Sequence, residues 1–392
     1  VISENLNCDV CIVGGGMVGA TTAIGFAKLG LDVVVLERSK PEAFDVKQAP
    51  DLRVSALNHF SLNLLEKYDI WERVEKMRFR DYEQLDAWES TGHLTSFKAS
   101  EIGETRLGSF VENRILQLAI VDVIETGYRD SIRIIYGHRV VHIDHVQSEI
   151  KLENGYQIQC KLLVGADGAQ SLVRKSTGIG DTGWDYTQSA SLITIKSKEP
   201  FENCTWQQFT PQGPLAFLPM HQNYACLVWY GDKSKTAEIK GASSEELTNM
   251  IGLTFPSRLS AFEVLDRGSF PLRRMHANTY FQNKTVLIGD AAHTINPLAG
   301  QGVNLGFRDV GALIESIKNN GLELKQIEKA LSEYSSKRRL QNLAMMSAMD
   351  AIYHTFSNEN WVLKKLRNIG LSAADKAGPL KITALKYAVG IK

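Results

Sequence analysis

A glycine-rich loop held between an apolar strand and a helix constrains this chain more than any other feature. Asp9 to Val13 is a short apolar run, followed at once by Gly14-Gly15-Gly16-Met17-Val18-Gly19. An apolar stretch continues to Leu29 and stops at Gly30, the residue type that closes helices in the left-handed conformation. Asp32 to Leu36 is a second β-branched run, ending on Glu37. The expected local structure is strand, turn, helix and strand.

That context gives the glycines their meaning, because the same G-x-G-x-x-G string recurs at Gly178, Gly180 and Gly183. The second copy has no strand before it and no helix after it, and reads as a loop. In the first, Gly14 permits the tight turn, Gly16 lets a pyrophosphate reach the backbone, and Gly19 lets the helix pack on the strand. The free N–H groups at the helix start, with the helix dipole, favour phosphate charge. Glu37 is placed to accept hydrogen bonds from a ribose diol. The expected ligand is an adenine dinucleotide; the alternative is a glycine turn with no ligand.

Composition narrows the remaining classes. Lys+Arg and Asp+Glu balance at 44 each, which removes bulk charge as an argument for nucleic-acid binding. No apolar run is long enough to predict a transmembrane helix, and Val1 to Asn7 lacks the features of a signal peptide. Five cysteines form no disulfide framework, so a reducing, cytoplasmic setting is expected. At 392 residues the chain should form two structural units. Between about Ser189 and Phe270 the pattern becomes alternating, as in Ser191 to Lys196 and Ala225 to Tyr230, with a turn at Pro211-Gln212-Gly213. This predicts an antiparallel sheet inserted into a parallel α/β domain. Val303, Phe307, Val310, Ile314 and Ile317 mark one face of a later helix, and the C-terminal fifth is expected to be mostly helical.

Two further strand-to-glycine segments decide which dinucleotide. Val164-Gly165-Ala166-Asp167-Gly168 runs on to Arg174, and Gly289-Asp290-Ala291-Ala292-His293 leads to Pro297-Leu298-Ala299-Gly300-Gln301-Gly302-Val303-Asn304. With the N-terminal loop, these resemble the three fingerprints of the class A flavoprotein aromatic hydroxylases, the para-hydroxybenzoate hydroxylase type. The resemblance implies a Rossmann-like α/β FAD-binding domain with an inserted antiparallel-sheet substrate domain and a helical C-terminus. The FAD-binding segments would be 1–75, 106–185 and 274–340, the substrate-domain segments 76–105 and 186–273, and the C-terminal helices 341–392.

By the same resemblance FAD is the cofactor and NAD(P)H a transient co-substrate. The implied cofactor-binding residues are Gly14, Gly15, Gly16, Met17, Val18, Gly19, Glu37, Arg38, Arg53, Gln117, Val140, Asp167, Asp290, Pro297, Gly300, Gly302, Val303 and Asn304. Gly300 and Gly302 would let the chain pass against a flat ring without a Cβ, and the helix beginning there would favour a reduced, anionic flavin through its dipole. In this family NAD(P)H reduces the flavin and O2 converts it to a C4a-hydroperoxide that attacks an electron-rich ring, so no catalytic base is obligatory and none is legible. His293 reads more readily as a structural hydrogen-bonding residue than as a proton carrier.

Other chemistries lack support. Neither H-E-x-x-H nor G-x-S-x-G occurs. Cys8 and Cys11 spell C-x-x-C on an expected buried strand, where that spacing puts the thiols on opposite faces, and no second pair completes a metal site. His142, Asp144 and His145 read as surface polar residues. In the inserted sheet, Trp206, Phe209, Phe217, Pro219 and Trp229 suggest an apolar wall for a hydrophobic ring, against the alternative that they are ordinary sheet core.

The segments Trp206 to Pro211, Phe255 to Leu259, Gly289 to Asp309 and Ala384 to Ala388 resemble the bacterial ubiquinone-biosynthesis hydroxylases over almost the whole chain. A prenylated quinol and O2 are then the implied substrates, with a pathway assembly or a membrane surface as the implied partner. The basic C-terminal region pairs Val362, Leu366 and Ile369, and then Ile382, Leu385 and Val389, with flanking Lys and Arg, which suits either a peripheral membrane contact or a helix packed on the FAD domain. A prenyl-reducing flavin oxidoreductase, a hydroxylase of another step and a non-catalytic flavin scaffold remain alternative readings.

Overall fold

The computed structural model describes residues 5–89, 94–296, 300–356 and 378–391. The chain opens as β1 (Asn5–Val13), α1 (Met17–Ala27) and β2 (Val33–Glu37), and continues through β3 (Val54–Leu57), α2 (His59–Lys67), α3 (Trp71–Glu75) and β4 (Arg80–Tyr82). Next come β5 (Gln84–Glu89), β6 (Thr95–Lys98), β7 (Gly108–Glu112), α4 (Asn113–Gly127), β8 (Ile132–Tyr136), β9 (Val140–Asp144), β10 (Glu149–Leu152), β11 (Gln157–Gly165) and α5 (Leu172–Ser176). The middle of the chain forms β12 (Asp181–Ser197), β13 (Cys204–Phe209), β14 (Leu215–Pro219), β15 (Tyr224–Gly231), α6 (Lys233–Gly241), α7 (Ser244–Thr254) and β16 (Phe262–Ala277). It closes with β17 (Phe281–Gln282), β18 (Thr285–Leu287), β19 (His293–Thr294), α8 (Gly302–Asn320), α9 (Leu324–Phe356) and α10 (Pro379–Val389).

The first sheet carries the parallel order β18-β11-β1-β2-β8, extended by β17, β9 and β10 in antiparallel pairings. Val10 to Val13 are buried without alternation, as expected for a strand covered on both faces. On this sheet lies α1, whose residues Gly19 to Ala27 are all buried because the helix is apolar all round. Its two buried threonines return their hydroxyls to Met17 and Val18 carbonyls, so no polar group is stranded. A Cβ on Gly25 would lie 2.7 Å from Ile314, which shows how closely α8 presses on α1.

The second sheet has the order β19-β16-β12-β15-β14-β13-β5-β6. Its spine is the long antiparallel pair β12 and β16. The boundaries expected at 185/186 and 273/274 lie within β12 and β16, at a register shift of their ladder between Asp185 and Ser189, and the one at 340/341 lies within α9. A third small sheet, β3-β7-β4, brackets β5 and β6 in sequence.

Gly183, expected in a loop, belongs to β12, where a Cβ would come 2.1 Å from the Arg274 carbonyl oxygen. Close strand approach explains that glycine without a ligand. The thiols of Cys8, Cys11 and Cys160 are all pushed up, chiefly by burial, Cys8 to about 12. No metal-ligating cluster and no helix long and apolar enough to cross a membrane occurs among the described residues. Ile382, Leu385 and Val389 pack on Ala99, Ile102 and Leu107, and Lys381 pairs with Glu101 at 2.9 Å, so this stripe covers the protein's own surface. Val362, Leu366 and Ile369 lie outside the described residues.

Candidate cofactor and substrate cleft

The glycine loop is built for close backbone approach. Gly14 has φ +102°, and a Cβ there would sit 2.3 Å from the Ala166 carbonyl oxygen. A Cβ on Gly19 would come within 1.9 Å of the Gly14 carbonyl oxygen. Gly16 has nothing within 4 Å of such a position, so the loop opens there. No side chain caps α1 and no acidic residue occupies its first turn, which leaves its N–H groups available to an anion.

Glu37 ends β2 beside this opening. Its carboxylate accepts from the Gly15 N–H at 2.6 Å and from the Arg38 N–H at 2.7 Å. These bonds fix its orientation and leave lone pairs for a diol. Met17 and Val18 are half-buried at the start of α1, and Arg38 is exposed.

The second and third motifs meet the loop through strand ends that lie side by side in the parallel sheet. Arg174 holds them together, donating to the Ala169 and Ala291 carbonyls and pairing with Asp181 at 3.1 Å. Asp290 is exposed at the junction, yet the protein packed around it pushes its carboxyl up; His293 and Arg53 oppose this and Asp309 adds to it. Arg53 thus lies near Asp290, its carbonyl held by the Asn113 N–H at the start of α4, one turn before Gln117.

Several expected contacts are otherwise engaged. Asp167 accepts from Ser171 Oγ, Leu172 N–H and Val173 N–H, so its carboxylate caps α5. Val140 is buried in the main core. Asn304 is fully buried and ties α8 to the β3–α2 corner: Oδ1 accepts from Ser61 and the Asn58 N–H, and Nδ2 donates to the Ala56 carbonyl. Gly300 has φ +62° and faces Ala56, Gly302 opens to space, and Val303 packs on the core. Pro297 lies outside the described residues.

Sequence reasoning missed the group that holds the third motif in place. Asp309, wholly buried on α8, accepts from the Gly289 N–H at 3.0 Å, His293 Nε2 at 2.5 Å, Arg338 Nε at 2.8 Å and Asn342 Nδ2 at 3.1 Å. Burial would raise its carboxyl, but the His293 and Arg338 charges and hydrogen bonds prevail and hold it at about 2. His293 is accordingly a sealed hydrogen-bonding residue. A charged residue between the apolar positions Phe307 and Val310 was the available signal.

The residues expected to form a substrate wall are divided by the pleat between the two faces of the sheet. Trp206 registers with Phe217, Phe217 with Leu227, and Leu215 with Trp229. This face of the sheet packs on Ile239, Leu247 and Ile251 of α6 and α7, away from the first sheet. Pro219, two residues from Phe217, is buried and shares that face by alternation. The opposite face carries Val228 and Tyr230 beside Ala190 and Phe270, and reaches the first unit where the Tyr230 hydroxyl donates to Asn296 Oδ1 at 3.2 Å. Of the five expected residues only Phe209 has this parity, and it stacks on Phe356 with centroids 4.2 Å apart. The run of aromatics disclosed the sheet, but the pleat assigned most of them to the far side.

The open phosphate-facing loop, the oriented Glu37 and the exposed Asp290 fit an extended dinucleotide such as FAD. A family model described as FAD binding domain matches residues 7–348. The chain is 42% identical to the 3-demethoxyubiquinol 3-hydroxylase of Escherichia coli over 99% of this chain and 100% of that protein. It is 30% identical to the mitochondrial ubiquinone biosynthesis monooxygenase COQ6 of Danio rerio, over 98% of this chain and 90% of that one. The solved p-nitrophenol 4-monooxygenase PnpA from Pseudomonas putida superposes with a TM-score of 0.81 at 19% identity, covering 98% of this chain and 97% of that one, a likeness of fold.

Proposed function

The chain belongs to the FAD-binding-domain family of ubiquinone-biosynthesis hydroxylases, and from that premise we propose that it hydroxylates the ring of a 2-polyprenyl-3-methyl-6-methoxy-1,4-benzoquinol. The end-to-end likeness to the demethoxyubiquinol hydroxylase carries this reading. Bound FAD supplies the electrons taken from NAD(P)H and the activation of O2.

The protein's own residues bind, orient and enclose. The α1 N-terminus and Gly16 receive the pyrophosphate, Glu37 the ribose, and Asp290 with Arg53 the part of the cofactor nearer the third motif. The Asp309 group keeps Gly289 to His293 in one conformation, so Asp290 is presented without reorganisation. Val228, Ala216 and Leu218 offer an apolar surface toward the first unit, which suits an uncharged ring with a long hydrocarbon tail. Such a tail partitions into a bilayer, so the reading includes docking at a membrane surface or on a lipid-presenting assembly, tested by sedimentation with anionic vesicles.

Purified holoenzyme is incubated with NAD(P)H, ¹⁸O2 and a short-tailed quinol of this type. One labelled oxygen on the ring is the expected product. NAD(P)H oxidation yielding only peroxide would overturn the substrate assignment, and a reduced prenyl bond without oxygen would overturn the reaction class.

A further inference from the structure

Asn296, four residues before Gly300 in sequence, is 1% exposed. Its Oδ1 is fixed by the Tyr230 hydroxyl at 3.2 Å, which assigns Nδ2 to the other side of the amide. Nδ2 is buried with no hydrogen-bond partner; it lies near enough to the Tyr186 hydroxyl to favour its ionised form, but outside bonding geometry. An orphaned amide donor costs its full desolvation, so a folded protein keeps one where something else is to be held.

The surroundings point the same way. The Tyr186 hydroxyl is held where it stands, donating to Asp350 at 2.6 Å, with Asp350 in turn paired with Arg274 at 2.6 Å, so its acceptor lone pair is not brought into bonding geometry with Nδ2. Ala190, Val228, Phe270 and Met349 pack with Tyr186 and Tyr230 in one cluster, which meets Asn296 through the Tyr230 hydroxyl. The geometry points to Asn296 as the residue that positions the aromatic substrate, donating from Nδ2 to a ring hydroxyl or phenolate oxygen, with Tyr230 orienting the amide.

This inference rests on the ring-hydroxylase reading. Its test compares binding of a short-tailed benzoquinol with that of the same prenylated ring lacking both hydroxyls, followed by the flavin absorbance of oxidised holoenzyme. Asn296→Leu should weaken the quinol about 10-fold, leave the hydroxyl-free ring within 2-fold, and retain FAD with an unchanged dissociation constant. Tyr230→Phe keeps ring and packing and loses only the orienting bond; it should give a smaller loss of the same kind. Turnover of Asn296→Leu should show a raised KM and more peroxide per NAD(P)H, because the ring is held less well. Equal quinol affinity in wild type and both variants would overturn the assignment to Asn296 alone. Loss of FAD with unchanged preference for the hydroxyls would also overturn it, giving the donor to the cofactor. A wild type that does not distinguish the two rings would sink the inference together with the reading beneath it.

Discussion

Asp309 of α8 and Arg338 of α9 form an ion pair at 2.8 Å, with side chains 0% and 3% exposed. The same carboxylate holds the Gly289 N–H and His293, so the pair fastens two helices and the third motif at one point. Asp309→Asn leaves Arg338 buried without its counter-charge. A loss of about 3–5 kcal/mol of stability is expected. Urea unfolding should show a lowered midpoint, and purified protein should carry less FAD because Gly289 and Asp290 lose their anchor. Full FAD content at wild-type stability would contradict this.

Two buried groups contribute to the acid limit of the fold. His276 accepts from the Tyr280 hydroxyl or donates to it at 3.0 Å; burial lowers its pKa first, with His293, Arg339 and Arg274 adding to the effect, to about 4 from 6.5. A depressed histidine stabilises fully above its unfolded pKa, and that contribution is lost as pH falls from 6.5 toward 4. Asp309 is depressed to about 2 from 3.8, so its contribution is present above 3.8 and disappears from there toward 2. Stability measured against pH should fall in two stages. His221, lowered to about 4 from 6.5 chiefly by burial, shares the upper stage, so His276→Gln should reduce that stage in part, and Asp309→Asn should reduce the lower.

Two loop glycines, Gly16 and Gly19, separate folding from binding. Gly19→Ala drives a Cβ to 1.9 Å from a backbone oxygen and should destabilise by about 1–3 kcal/mol or more. Gly16 has φ −65° and open space, so Gly16→Ala should melt within about 0.5 kcal/mol of wild type. Its methyl group would nevertheless occupy the opening at which the pyrophosphate is proposed to bind. FAD affinity measured by calorimetry should drop on the order of 10–100-fold without loss of fold. An unaltered affinity would place the pyrophosphate elsewhere.

What the sequence disclosed was what local rules control. The Gly14–Gly19 loop was legible because tight turn, open backbone and close helix packing each require glycine at a set position, and the structure shows all three pressures. The α8 face from Phe307 to Ile317 was legible from its period. Asp309 was not, since its four donors come from segments distant in sequence, and neither was the capping engagement of Asp167. Which face of the sheet each aromatic occupies was not legible for another reason. In a sheet with both faces covered, Trp206 and Phe209 are equally apolar, and only the placement of α6 and α7 tells which face is outer core.

The two faces of that sheet should respond to mutation in opposite ways. Trp206 stacks on Phe217 at 5.4 Å and meets Trp88 and Phe255 within the outer core. Trp206→Ala should cost about 3–5 kcal/mol, seen as a lower urea midpoint, while the folded fraction keeps its KM for the quinol. Val228 has the opposite parity and is half-buried beside Tyr230. Val228→Ala removes about two methylenes' worth of apolar surface facing the first unit, roughly 1–2 kcal/mol if the ring rests there. Its expected signature is a KM raised about 5–30-fold, by the 1.4 kcal/mol-per-decade conversion, with little change in the unfolding midpoint. If Trp206→Ala alters KM and Val228→Ala alters only stability, the substrate lies on the α6–α7 side and the assignment of the faces is reversed.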